Sequence, residues 1–244
     1  MPVFRSIVFA AAISGLLVGL LVSVLQHLGT VPLIAQGETF EKAPAQPAAG
    51  HAHGAGGNGS PAAASVAADE AWEPRPGLER NAYTVLFNIV ERIGFSLMLA
   101  AALILSGRPL GWREGFLWGL AGFLVFVLAP GIGLPPELPG IPAAPLWPRQ
   151  IWWVGTALCT GAGLWLILFK RHPAAAILGV ALLVAPHLVG APQIDITGNP
   201  VPAALSHRFV VAVFLTTLLS WSLLGALTGY FGRRFLASPQ SRTA

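Results

Sequence analysis

The chain has 244 residues, of which 55% are hydrophobic and only 10% charged, with a formal net charge of +4. Soluble domains carry roughly 25% charged residues, so this composition excludes an ordinary water-soluble domain and points to lipid. No basic patch with interleaved aromatics exists, which excludes a nucleic-acid partner, and the single cysteine, Cys159, excludes an intrachain disulfide or a cysteine-based zinc site.

A hydrocarbon core about 30 Å thick takes roughly 20 apolar residues of helix. Six stretches qualify. The first segment, 1–28, holds the uncharged run Ser6–Leu28. Along it Ala11, Gly15, Gly19, Ser23 and His27 recur every fourth residue and share a face, where the small residues admit a neighbouring helix. Arg5, the apolar run and Ala35 also fit a cleaved signal peptide, which would leave five spans. The run exceeds the roughly 7–15 residues of such a peptide, so a retained helix is the preferred reading.

Residues 29–81 form an expected extracytoplasmic loop. Its middle, Pro44–Ala68, is an Ala/Gly/Pro tract without charge that contains the "HAH" of His51 and His53. Such composition predicts disorder. Segment 82–133 holds the second and third spans, Ala82–Leu105 and Gly115–Gly133. On the second, Asn81, Thr84, Asn88 and Glu91 follow spacings of 3, 4 and 3, with Arg92 beside them. Ionisable groups at that depth normally face protein or water. The stripe therefore reads either as an ion path through Asn88, Glu91 and Arg92 or as a structural ion pair to another helix.

Loop 134–150 has prolines at 135, 136, 139, 142, 145 and 148, a density that predicts a stiff, extended, non-helical segment. Segment 151–190 holds the fourth and fifth spans, Ile151–Phe169 and Pro173–Gly190, with Trp152 and Trp153 at the headgroup level. Pro173 suits a helix start. Pro186 removes a backbone donor and loosens the turn that presents His187. Loop 191–208, the sixth span Phe209–Phe231 within segment 209–232, and the tail 233–244 complete the chain. The fold class is thus all-α: a polytopic helical membrane bundle.

Arg5, Arg108, Arg113, Lys170, Arg171, Arg233, Arg234 and Arg242 fall on one side of this topology, and Lys42, Arg75, Arg80, Arg149 and Arg208 on the other. Short basic connections stay in the cytoplasm, so both termini are expected there. The acids gather on the opposite side, where they would attract cations. His187 and His27, at outer helix ends, with Glu137, Glu41, His51 and His53, offer nitrogen and oxygen ligands for a divalent metal. The competing readings are a hydrogen bond to a neighbouring helix for His187, interfacial water for His27, and chance in a linker for "HAH". No Gly-Lys-Ser/Thr follows either lysine, and no His-Glu-x-x-His or Gly-x-Ser-x-Gly occurs. We expect no enzyme and no tightly bound cofactor.

The segments "GLLVGLLVSVLQHLGTVPLI", "WEPRPGLERNAYT", "GWREGFLWGLAGF", "LAPGIGLPPELPG", "RQIWWVGTALCTGAGL" and "LVAPHLVGAPQ" resemble the CbtA family of bacterial cobalt-transporter subunits. The resemblance runs through nearly the whole chain outside Pro44–Ala68. It implies five or six spans in the cytoplasmic (inner) membrane, Co²⁺ as substrate and a small single-span partner, CbtB, with its own histidines. On it, His187 and Glu137 fall in the family's most distinctive segments. The expected function is a membrane subunit of cobalt or related divalent-metal uptake. Two alternatives are a redox subunit holding b-type haem between His187 and another spanning histidine, and a non-transporting scaffold whose partner carries the metal path. A homo-oligomer is left open.

Overall fold

The computed structural model describes residues 2–41, 74–194 and 199–236; no strand occurs among the described residues. In chain order the helices are α1 (Pro2–Leu28), α2 (Thr30–Glu41), α3 (Leu78–Leu105), α4 (Trp112–Phe123), α5 (Ala129–Gly133), α6 (Leu146–Phe169), α7 (Pro173–Val189) and α8 (Ala203–Leu236). A π-helical turn, Leu124–Leu128, links α4 to α5 so that the two form one continuous rod. Among the described residues, five stretches are long and apolar enough to cross a membrane: Val3–Leu28, Leu78–Leu105, Trp112–Gly133, Leu146–Phe169 and Ala203–Phe235. α7 is a shorter apolar helix of 17 residues. At about 1.5 Å per residue it spans roughly 25 Å, and with the five long helices it accounts for the six expected passes.

Helix pairing follows the small residues. Gly15 and Gly19 of α1 lie against the main chain of Ile93 and Ile89 of α3, as the four-residue spacing on α1 predicts. The same seam is polar toward one end, where the Asn88 amide donates to Ser23 Oγ at 3.0 Å and Gln26 Oε1 at 2.7 Å. α4 and α8 approach even more closely. A methyl group on Gly115 would overlap the Gly225 carbonyl, and one on Gly229 the Gly111 carbonyl. Only glycine leaves two main chains room to touch in this way. Next to this seam Val18, Val22, Leu99, Phe123, Trp221 and Leu224 form the core, and Ser96 and Thr228 share a buried hydrogen bond of 2.7 Å between α3 and α8.

α6 and α7 form an antiparallel hairpin: Gly163 faces Gly179, and Trp152 meets Pro186 at one end. His172 caps α7, its Nδ1 accepting the Ala174 N–H at 3.2 Å, and Pro173 occupies the first turn as expected. The ends of α3, α6 and α8 meet where Arg108 lies over the Phe169 ring and Gly232 approaches Leu110. We call this the basic end. At the opposite, loop end, a second apolar cluster of Leu33, Leu138, Val201, Leu205 and Phe209 binds α2, the Pro-rich segment and the start of α8.

Several boundaries differ from the expectation. Part of loop 29–81 is helical, because α2 has Leu33 to bury against Leu138 and Val201. The sixth span starts at Ala203, six residues before Phe209, and carries His207 and Arg208 within its first turns. The helix of α7 continues through Pro186 to Val189, since a proline in the last turn forfeits little of the hydrogen-bond ladder. The tract Pro44–Ala68 lies outside the described residues. The Pro-rich segment is non-helical from Leu134 to Pro145, but residues 146–150 of the expected loop already belong to α6, because Pro148 sits in its first turn, where the missing N–H costs nothing.

Candidate functional site

The loop end gathers segments that are far apart in sequence. Gly133, the last residue of α5, packs its α-carbon against the Trp152 ring and Ala191, and its carbonyl accepts a hydrogen bond from Gln193 Nε2 at 3.0 Å. Trp152 donates its indole N–H to the Pro186 carbonyl at 3.2 Å and meets the His187 imidazole edge-on, with ring centroids 6.0 Å apart. "GLPPELPG" (residues 133–140) and "PHLVGAPQ" (186–193) are thereby clasped around one tryptophan.

Beside this clasp opens a cleft of about 630 Å³. Its floor is Phe126 and Val127 of the π turn, with Phe214 of α8; its rim includes Pro135, Pro136, Glu137, Arg149 and Gln150. Glu137 and Arg149 form a partly exposed ion pair at 3.3 Å. Such a pair is worth at most about 1 kcal/mol, so it leaves the carboxylate free to exchange partners. π turns are frequent at functional sites, because the extra residue re-aims side chains. Here it brings Phe126 between Trp221 and Trp153, at centroid distances of 5.7 and 6.3 Å.

The sequence-derived ligands are dispersed around this end. Glu137 lines the cleft; His187 does not, and is turned to Trp152 on the α7 side of α6. His27 is exposed at the end of α1. Glu41 is exposed at the end of α2, with its backbone beside Gly140 of the Pro-rich segment. His51 and His53 lie outside the described residues. Among the described residues no three His, Cys, Asp or Glu side chains converge in a group able to hold a metal ion. The expected ligand set of His27 and His187 with Glu137 and Glu41 is therefore not assembled among the described residues, and Glu137 has found Arg149 instead.

The stripe on α3 also divides. Asn88 is buried and spent on α1. Arg92, one turn on, is buried too, with its Nε lacking a partner and its guanidinium 6.0 Å from the Phe95 ring centroid. Glu91 turns outward, half exposed, and reaches Arg92 only at 3.8 Å. Neither the loop-end cleft nor a second, apolar groove between α3 and α6 is lined by any of the three. The sequence reading missed the Glu38–Arg80 ion pair of 2.9 Å that ties α2 to α3, and the π turn. It also missed the glycine seam of α4 and α8, although the four-residue spacing of Gly111, Gly115 and Gly119, and of Gly225 and Gly229, was legible.

An all-helical bundle with five membrane-length apolar helices, a shorter return helix and a polar-rimmed cleft at one end is a multi-pass membrane protein. Within that class the chain belongs to the family described as "Probable cobalt transporter subunit (CbtA)", which matches residues 4–233. It is a membrane subunit of cobalt transport, and the family supports this over the haem-binding and scaffold alternatives. No curated protein and no solved structure matches the chain.

Proposed function

We propose that this subunit receives Co²⁺ at its loop end for uptake across the bacterial cytoplasmic membrane, with both termini in the cytoplasm. The observation that carries the reading is the clasp: two segments more than forty residues apart in sequence meet around Trp152 and set the Glu137 carboxylate on the wall of a cleft. The orientation rests on the basic end, where Arg108 and Lys170 lie over Phe169 and Trp165. The description as a subunit implies a partner, and the partner we propose is a CbtB-like single-span subunit.

Co²⁺ is cargo here, so it must bind firmly enough to enter and weakly enough to leave. Glu137 and His187 are two ligands of suitable chemistry, with His51 and His53 of the intervening loop, His27 and Glu41 as further donors. Nickel and copper bind such donors more tightly than cobalt, so selectivity does not follow from ligand type.

Radiolabelled cobalt uptake by cells expressing the subunit with its partner tests the proposal. Glu137→Gln keeps the side chain's shape and removes its charge. We expect it, and His187→Ala, each to reduce uptake by about tenfold, which corresponds to roughly 1.4 kcal/mol. Wild-type uptake by both variants at equal expression would remove the cleft from the cobalt path. Parallel nickel and zinc arms define the cargo.

A further inference from the structure

We propose that the groove between α3 and α6 seats one transmembrane helix of a partner subunit, and that this helix carries a hydrogen-bond donor or a cation at mid-membrane, facing Glu91. The inference rests on the subunit reading given above. The groove, of about 600 Å³, has α3 and α6 as walls and α4 with the π turn as floor. It is apolar apart from the Arg108–Glu114 ion pair at its basic end, and it opens sideways, where a bilayer would lie: Met98 on one wall and Trp165 and Leu168 on the other are exposed. Gly161 on the α6 wall leaves nearly open space at its α-carbon, the nearest atom to an added methyl being 3.9 Å away.

The α3 wall leads to Glu91. Residues 91, 98 and 102 are seven and four apart and so share one helix face. Glu91 lies 13 residues from Leu78 and 14 from Leu105, which is the middle of the span. Its side chain is 49% exposed, and Arg92, the cation 3.8 Å away, is itself buried. Hydrocarbon supplies no donor to such a carboxylate, and exposed carboxylates at this depth are among the most costly residues to insert. Gly94, one turn on, is exposed and has open space where a side chain would be, so a second helix can come close beside Glu91.

Other occupants fit less well. Acyl chains would fill the groove and leave Glu91 facing hydrocarbon. A second copy packed symmetrically on this face would set Glu91 against its own equivalent, charge against like charge. A helix with a donor at mid-span satisfies both the groove and the carboxylate.

The test is site-specific photocrosslinking of the full chain co-expressed with the tagged small subunit in membranes. A photoreactive residue replaces Met98 in the groove or, as a control, the exposed Ile177 of α7. We expect the small subunit to be captured from position 98 and not from 177. Glu91→Leu should cut that capture by about tenfold, while Glu91→Asp restores most of it. The position-98 probe on the otherwise native chain does not depend on how the Glu91 variants fold. Capture of lipid alone or of a second copy from position 98, equal capture from 177, or capture indifferent to Glu91→Leu overturns the inference. If the small subunit copurifies but is not captured from the groove, the docking site falls and the subunit reading stands. If it does not copurify, and the chain alone takes up cobalt, the subunit reading falls with it.

Discussion

α4 and α8 touch main chain to main chain along Gly115, Gly119 and Gly225. α6, by contrast, meets the rest of the bundle mainly through the π turn and α5, and α7 meets it mainly through α6. The loop-end cleft and the lateral groove both flank α6, and Phe126 and Trp153 or Trp165 stand in their walls. The α1, α3, α4 and α8 helices are thus joined by main-chain contacts that leave no room, whereas the α6–α7 hairpin, itself closed at Gly163 and Gly179, meets them through side chains across open volume. Segments with few packed contacts open at low free energy. The difference marks α1, α3, α4 and α8 as the frame and the α6–α7 hairpin as the part able to shift.

The strongest way to break this comparison is to load the frame. Gly225→Leu must push apart two backbones, whereas overpacking of side chains alone already costs about 1–3 kcal/mol. We expect loss of monodisperse protein in detergent; a normal elution profile and melting temperature would show that the seam is not what joins the frame. Asn88→Ala leaves Ser23 and Gln26 without their shared donor. It should destabilise the frame by about 0.6–1.7 kcal/mol, between the mean and the maximum of interhelical hydrogen bonds measured in a membrane protein. Thermal unfolding checks it, and an unchanged midpoint would make the polar end of the α1–α3 seam dispensable. Trp152→Phe keeps the ring and removes the indole bond to Pro186. Its cost is about 0.5–1.5 kcal/mol, and hydrogen exchange should quicken at the end of α7 while α4 and α8 stay protected. Uniform quickening would mean that the two halves open together. Gly161→Ala, with only Val125 at 3.9 Å, sharpens the contrast by doing almost nothing, within about 0.5 kcal/mol.

The five long passes were legible because length and apolar composition alone specify them, and the α1 face was legible because Gly15 and Gly19 repeat at the helical period. Other features depend on distant partners. Leu33 looks like any loop leucine until Leu138 and Val201 arrive to cover it. Glu137 reads as a free ligand until Arg149, twelve residues on, folds back to it. The polar stripe misled for a geometric reason. Asn88 and Arg92 are one turn apart and share the buried face, while Glu91 is turned about 100° from Arg92. A single spacing pattern therefore joined residues that serve two different surfaces. The glycines of α4 and α8 were visible in the sequence, but nothing there says that the two sets face each other.

A joint built from hydrogens has an evolutionary cost of its own. When a bulky residue arises in an ordinary core, a shrinking neighbour can accommodate it. Opposite Gly115 and Gly225 there is no neighbour with atoms left to give up. Second-site suppressors of a substitution in this joint should therefore fall outside it, in positions that let an entire rod slide, and drift at these glycines should be nearly arrested.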